Sequence, residues 1–301
     1  MDPEKLLVGI AILSLIVILW YTWRRCPRTY FNVDDRDLLV TMPTYYPGIR
    51  GHQDSWPHHR IPARIIQTNE NEKVPISFYL ATTTLLRDNR NYEYMYFTDT
   101  NARKFIEENF DTKVLTAYDD LLPGAYKADL FRYCALYVLG GVYIDMGMVS
   151  LGEGLLDHTF KRNDEFISAE DNFSGGVYNA FIASVPGHVI LKEAIDMVVD
   201  NVVHRRYTTS PLAVTGPLLL AKAYEKVVKT KPKQNSTMVL DQGNVRLLGF
   251  CSERFCEGGI IRDNDVNLLL TRYTGYRRDQ KMYSSKPHYS VLWRNGMIYR
   301  N

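Results

Sequence analysis

The chain has 301 residues, of which 46% are hydrophobic, 12% aromatic and 23% charged, with a formal net charge of +2. This is a globular composition, long enough for one large domain or two small ones. The nearly balanced charge gives no electrostatic reason to expect a nucleic-acid partner, and no cysteine–histidine spacing resembles a zinc site.

The first element is residues 6–23, LLVGIAILSLIVILWYTW, which carry no charge. Eighteen helical residues reach about 27 Å, enough for a bilayer core. No small-residue cleavage site follows, and Trp20, Tyr21 and Trp23 suit a membrane interface, so residues 1–23 are expected to be a short tail and a retained signal anchor. The lipid bilayer is then a partner through residues 6–23. Arg24, Arg25 and Arg28 outweigh Lys5, which by the positive-inside rule puts the following domain in the cytosol. Sequons at Asn172 and Asn235 would matter only in a lumen. Residues 24–60, with Pro43, Pro47, Gly48 and Pro57, read as a stem. Its His52, His58 and His59 are either metal ligands or ordinary members of a polar linker.

Residues 61–301 read as one α/β domain. Strands are expected at Arg64–Gln67, Tyr94–Phe97 and Lys113–Leu115, separated by helices over 76–87 and 102–109. Strands spaced by helices of this length predict a mostly parallel central sheet with crossover helices. A strand is expected at 165–168, helices at 189–203 and 217–228, and short strands near Val239 and at 245–248. Cys251 and Cys256 either close a small disulfide loop or remain two thiols. Nothing resembles a Gly-rich dinucleotide loop or a P-loop.

The most informative stretch is Tyr126–Asp145, YKADLFRYCALYVLGGVYID. Residues 128–139 form a helix that is apolar nearly all round, and its only charges, Asp129 and Arg132, fall about 60° apart in one sector. Buried charges are costly unless paired or used. A Gly-Gly turn then leads into the strand 142–144, which delivers Asp145 to its C-terminal end, where open α/β sheets bind ligands. The residues alone allow two readings of Asp129 and Arg132: an acceptor and a rigid donor fork for a ligand, or an i,i+3 salt bridge that neutralises two buried charges.

Together Ile61–Thr68 (IPARIIQT), Asp129-x-x-Arg132 and Gly140–Asp145 (GGVYID) resemble glycosyltransferase family 32, the DXD sugar transferases. Val177–Ser184, Thr215-Gly-Pro217 and His288–Trp293 extend the similarity in order, so that it covers roughly Ile61 to Trp293. The resemblance implies a GT-A-like fold behind one N-terminal transmembrane helix. It also implies a membrane-anchored retaining transferase that moves a sugar from a UDP- or GDP-sugar donor to a glycan acceptor. Golgi members of the family place this domain in the lumen, against the flanking charges. Gln67 and Thr68 are implied near the nucleotide, Asp129 and Arg132 on the donor sugar, and Asp145 on the ribose and a magnesium or manganese ion bridging the phosphates. His288 is implied near that metal. Asn179, an amide in an apolar run, reads either as a further donor contact or as a structural hydrogen bond.

The sequence departs from the pattern at Asp145-Met146-Gly147, where the second DXD carboxylate is replaced by glycine. Glu170, Asp171 or His288 would have to help hold an ion, or metal dependence is weakened. The alternative is a catalytically weak or inactive GT-A-like binding module or scaffold. No residue stands out as catalytic base or nucleophile.

Overall fold

The computed structural model describes residues 38–49, 59–171, 175–241, 243–252, 258–284 and 286–300. The anchor expected at residues 6–23, along with His52, His58, Asn172 and Cys256, lies outside the described residues. Among the described residues no helix is long and apolar enough to cross a membrane.

In chain order the first half contains β1 (Leu39–Thr41), β2 (Tyr45–Tyr46), β3 (Arg64–Asn69), β4 (Lys73–Pro75), α1 (Ile76–Asp88) and β5 (Glu93–Thr98). Next come α2 (Asp99–Asn109), α3 (Thr112–Asp120), α4 (Gly124–Leu139), β6 (Gly141–Ile144), β7 (Val149–Ser150) and α5 (Leu155–Thr159). The second half contains β8 (Asp164–Asp171), β9 (Gly176–Val177), β10 (Phe181–Ser184), α6 (Val189–Val203), α7 (Pro217–Val228) and β11 (Ser236–Val239). It closes with β12 (Asn244–Ser252), β13 (Gly259–Asp263), β14 (Val266–Leu270), α8 (Tyr276–Tyr283) and α9 (Tyr289–Arg294). Within the stretch read as stem, β1 pairs with β4 and β2 pairs with β5.

The central sheet runs β2-β5-β3-β6-β10-β8-β12-β13-β14-β7, with β11 and β9 attached to β12 and β8. It is mixed rather than mostly parallel. Among the described residues only β3 with β5, β3 with β6 and β8 with β12 are parallel neighbours. The first half crosses over through helices of a dozen residues, which parallel pairing requires. After β6 the connections shorten, and β8, β10, β13 and β14 return as antiparallel neighbours.

The strand expected at Lys113–Leu115 is instead the first turn of α3. Asp111 caps that helix, its Oδ1 accepting from the N–H groups of Lys113 and Val114 at 3.1 and 3.2 Å. Val114, Ala117 and Tyr118 then fall on one buried face at helical spacing. Three apolar residues are too few to separate the two periods.

Two cores flank the sheet. One holds α2, α3, α4, α6 and α7 against Ile66, Tyr143, Phe166, Ile182 and Leu247. The other holds α1 against Ile65, Val142, Ile144, Phe181 and the β12–β14 strands. The helix α4 packs within the first core, with Leu130, Phe131, Cys134, Ala135 and Leu136 all buried. Its sequence is apolar all round because neighbours surround it.

A buried ion pair ties the sheet's second half together. Arg246 on β12 donates to Asp164 Oδ2 at 2.8 Å and to Asp263 Oδ2 at 2.7 Å, and to the carbonyl of Thr159 at 2.8 Å. Asp164 has no exposed surface. Arg246→Ala would strand that carboxylate and should cost about 3–5 kcal/mol in chemical denaturation. A loss below 1 kcal/mol would mean that Asp164 finds another partner.

Candidate active site

The site forms where β6 ends. Gly140 and Gly141 have φ of +62° and +106°. A Cβ at Gly140 would come within 2.6 Å of Pro186 Cδ, and one at Gly141 within 2.7 Å of the Arg64 carbonyl oxygen. Only glycines pass this turn. Arg64 donates to the Leu139 carbonyl at 2.7 Å and so closes the helix end. The tight turn sets β6 directly beside its own preceding helix, so that Asp145 emerges next to the buried face carrying Asp129 and Arg132.

Arg132 joins the parts. Its Nη1 donates to the Asn179 carbonyl at 2.7 Å, and its Nη2 lies 3.3 Å from Asp129 Oδ1 and 3.2 Å from Asp145 Oδ1. The guanidinium sits 4.5 Å from the centroid of the Tyr143 ring, on which it makes a cation–π contact. Asp129 is saturated almost as fully: Oδ1 accepts from Asn179 Nδ2 at 2.8 Å and Oδ2 from Thr215 Oγ1 at 2.7 Å. Tyr133 supports Asn179 and Thr215, contacting the amide at 3.3 Å and donating to the Thr215 carbonyl at 2.9 Å. Tyr143 donates to Asp145 Oδ1 at 2.8 Å. The Asp129 and Arg132 side chains retain 11% and 5% exposure, while Asp145 retains 38%. Asp145 is therefore the open carboxylate, and Oδ2 is its unclaimed oxygen.

Burial and charge act together on these groups. Burial pushes the Asp129 carboxyl up to about 6, although Arg132 and the Thr215 hydrogen bond pull it down. Burial also works against the Arg132 guanidinium, but Asp145, Tyr143 and Asp129 more than offset it and hold its proton firmly. The Tyr143 hydroxyl is driven well above its usual range, first by burial, with Arg132 opposing, so it stays a donor to Asp145.

The other expected site residues fall in different places. Gln67 is wholly buried beneath Asp145. Its Nε2 donates to the Asp145 carbonyl at 3.4 Å, while Oε1 accepts from Thr82 at 2.8 Å and Tyr94 at 3.1 Å. Its amide holds Asp145 in place and offers no open surface. Thr68 is nearly buried and donates to the Phe97 carbonyl at 2.8 Å. His288 caps α9, its Nδ1 lying 2.8 Å from Ser290 Oγ and accepting the Ser290 N–H at 3.3 Å, so only Nε2 can face a ligand. Burial and the nearby Arg277 charge lower the His288 pKa. No hydrogen bond or ion pair joins it to Asp145 among the described residues. Glu170 accepts the Gln234 N–H at 2.6 Å. His59 meets Asp157 and the edge of Phe160.

Gly147 has φ +84°, and a Cβ there would overlap the ring of Tyr276. Tyr276 stacks on Phe78 at 5.4 Å, so the space where a second carboxylate would begin is filled by an anchored aromatic ring. Among the described residues no three His, Cys, Asp or Glu side chains gather to hold a metal ion. The donor set fits a divalent ion only as a shared one, with a single protein oxygen, Asp145 Oδ2, and phosphate oxygens for the rest.

Sequence reasoning missed Thr215, Tyr133, Tyr143 and Tyr276. Tyr133 follows Asp129 at i+4 on the same helix face, and Thr215 stands in a matched triplet; both signals were available. Tyr276 had none, because its role depends on a chain reversal 129 residues beyond Gly147.

An open carboxylate beside a buried, hydrogen-bonded Asp–Arg pair offers a ligand both acceptor oxygens and a rigid donor fork. Residues 75–165 match the family model described as "Glycosyltransferase sugar-binding region containing DXD motif", a stretch that includes Asp129, Arg132 and Asp145. Curated relatives agree. Inositol phosphoceramide mannosyltransferase 2 of Schizosaccharomyces pombe is 28% identical over 222 residues, 70% of this chain and 61% of its own. Mannosyl phosphorylinositol ceramide synthase SUR1 of Saccharomyces cerevisiae is 25% identical over 276 residues, 88% of this chain and 66% of its own. The chain thus spans less than two thirds of the length of these relatives. Among solved structures, PaToxG glycosyltransferase superposes with a TM-score of 0.45 at 14% identity, over 58% of this chain and 72% of that one.

The raised pKa gives Asp129 a signature. The folded protein keeps this proton up to about pH 6, whereas the unfolded chain releases it near the ordinary value of 3.8. The carboxyl's contribution to stability is therefore present below about pH 4 and is lost as pH rises through about 6. Relative to Asp129→Asn, the wild type should lose on the order of 2 kcal/mol of stability between pH 4.5 and pH 8 in denaturant titrations, whatever the offset left by the lost hydrogen bonds. An equal difference at both pH values would contradict a buried, strained carboxylate.

Proposed function

We propose that this chain is a glycosyltransferase that moves a hexose, mannose in the first instance, from a nucleotide-sugar donor to a glycan or glycolipid acceptor. The reading rests on the convergence of Asp129, Arg132, Asn179 and Asp145 at the end of β6, inside the family's sugar-binding region. The names of the relatives make mannose the first sugar to test, for which GDP-mannose is a convenient activated form, and an inositol phosphoceramide the first acceptor class.

Each group has a part that follows from its remaining valences. Asp129 Oδ2 accepts one hydrogen bond and has a second lone pair for a sugar hydroxyl. Arg132 Nη1 uses one of its two hydrogens on Asn179 and has one to offer. Asn179 fixes both of them. Asp145 Oδ2 faces the ribose and the diphosphate, while Gln67 and Tyr143 set its direction. A magnesium or manganese ion would be held there by Asp145 Oδ2 and phosphate oxygens, with His288 Nε2 as a further candidate, and would stabilise charge on the departing phosphate.

In a retaining transfer the bond from the sugar's anomeric carbon to phosphate breaks, and its electron pair stays on the phosphate oxygen. The acceptor hydroxyl bonds to the same carbon on the same face, and its proton passes to that phosphate oxygen. No protein base is needed for that transfer. Membrane attachment through residues 6–23 belongs to the same reading, with the side of the membrane to be decided by glycosylation of Asn235.

A second reading, a donor-binding module without turnover, is favoured by one observation: Tyr276 fills the place of the second carboxylate. Release of free sugar from GDP-mannose and from a panel of UDP-sugars, measured on purified protein, separates the two. Turnover that falls about 100-fold or more in Asp145→Ala and in Asp129→Asn supports the transferase. Binding without turnover of any donor supports the module. Full turnover in both variants would place the chemistry elsewhere.

A further inference from the structure

The gap at Gly147 is closed by a segment that also brings cations. The loop from β14 to α8 carries Arg272 and Arg277 on either side of Tyr276. Arg272 is half-buried, with its guanidinium 5.9 Å from the Tyr276 ring centroid. Arg277 is exposed, and its partner is the amide oxygen of Gln280 at 3.3 Å. Among the described residues neither arginine is paired with a carboxylate. The neighbouring Arg278, by contrast, is held by Asp279 at 2.8 Å.

Three phenols feel these charges together with those of the site. The Tyr276 hydroxyl is pushed up to about 12, chiefly by burial and next by Asp145, with Arg272 and Arg277 pulling it back. The Tyr178 hydroxyl is raised by burial and then by Asp145, with Arg272 opposing. Tyr289, also raised by burial, lies within the fields of Asp129, Arg277 and Arg272. By geometry, Arg272 stands beside the ring that covers Gly147, two residues from Asp145, and Arg277 follows that ring directly in the chain.

A nucleoside diphosphate placed against Asp145 meets one carboxylate of its own sign. It must find positive charge, and a planar guanidinium is suited to bidentate phosphate recognition. The charge of Arg132 cannot supply it, since Asp129 and Asp145 already match that guanidinium, whose remaining N–H is left for the sugar. We propose that Arg272 and Arg277 bind the diphosphate of the nucleotide donor and take over much of the charge neutralisation that a second DXD carboxylate and its ion would provide. The inference rests on the glycosyltransferase reading above and deepens it: donor binding here depends on arginine first and on a divalent ion second. Tyr276 acts as the positioning residue, packed on Gly147 and Phe78 and lying under Arg272.

Titration calorimetry on the full chain tests this with UDP, GDP, UMP and GMP, first in EDTA and then with manganese. In EDTA a diphosphate should bind more tightly than its monophosphate. The double variant Arg272→Ala/Arg277→Ala should lose about ten- to a hundredfold in diphosphate affinity while its monophosphate affinity barely changes. Arg272→Lys in the Arg277→Ala background should recover part of the loss, and unchanged thermal melting would show that the fold is intact. Diphosphate binding that appears only with manganese, or a double variant with wild-type affinity in EDTA, overturns the arginine role and leaves the transferase reading standing. No binding of any nucleotide under either condition overturns both.

Discussion

The buried Arg132 guanidinium is the constraint on which the site depends. A cation in a nearly dry environment needs its charge matched and its N–H groups occupied, or it destabilises the fold by several kcal/mol. Here two aspartates from different elements, a backbone carbonyl and an aromatic face meet that need together. Satisfying Arg132 draws α4, the end of β6 and the turn before β10 to a single point. The Gly140–Gly141 turn is the geometric counterpart, since only that tight reversal lets the helix and the following strand offer Asp129 and Asp145 to the same guanidinium.

The two halves of the site differ in construction. The half around Asp129, Asn179 and Thr215 is rigid and internally hydrogen-bonded, and suits the recognition of a fixed pattern of hydroxyl groups. The half around Asp145 is open, and Tyr276, from a segment at the far end of the chain, covers Gly147 beside it. Replacement of the second carboxylate by glycine is coupled to that segment: the residue that occupies the vacated space is anchored on Phe78 and flanked by arginines.

Much of this was legible in the sequence where the signal is local. The all-apolar helix with one charged sector, the Gly-Gly turn and the strand-end aspartate are neighbours in sequence and remain neighbours in space. The helices over 189–203 and 217–228 have the expected bounds because their apolar period persists for three turns or more. Lys113–Leu115 failed for the opposite reason, a run too short to show its period, overruled by the Asp111 cap. The sheet's mixed direction was hidden because strand orientation is set by short connections and by which edges remain free, and neither leaves a residue pattern. Gln67 illustrates a finer failure. It stands at the expected place on β3, yet Thr82 and Tyr94 turn its amide inward, and those partners come from elements that only the fold brings together.

The central claim is that the Arg132 cluster and the Asp145 carboxylate form one donor site. The most direct measurement is a crystal structure of the chain with GDP-mannose or a non-hydrolysable analogue. The account predicts sugar density against Asp129 and the free Arg132 N–H, with the diphosphate between Asp145 Oδ2 and the Arg272–Arg277 segment. A donor bound elsewhere, or a cluster that remains closed around itself with the nucleotide absent at saturating concentration, would contradict it.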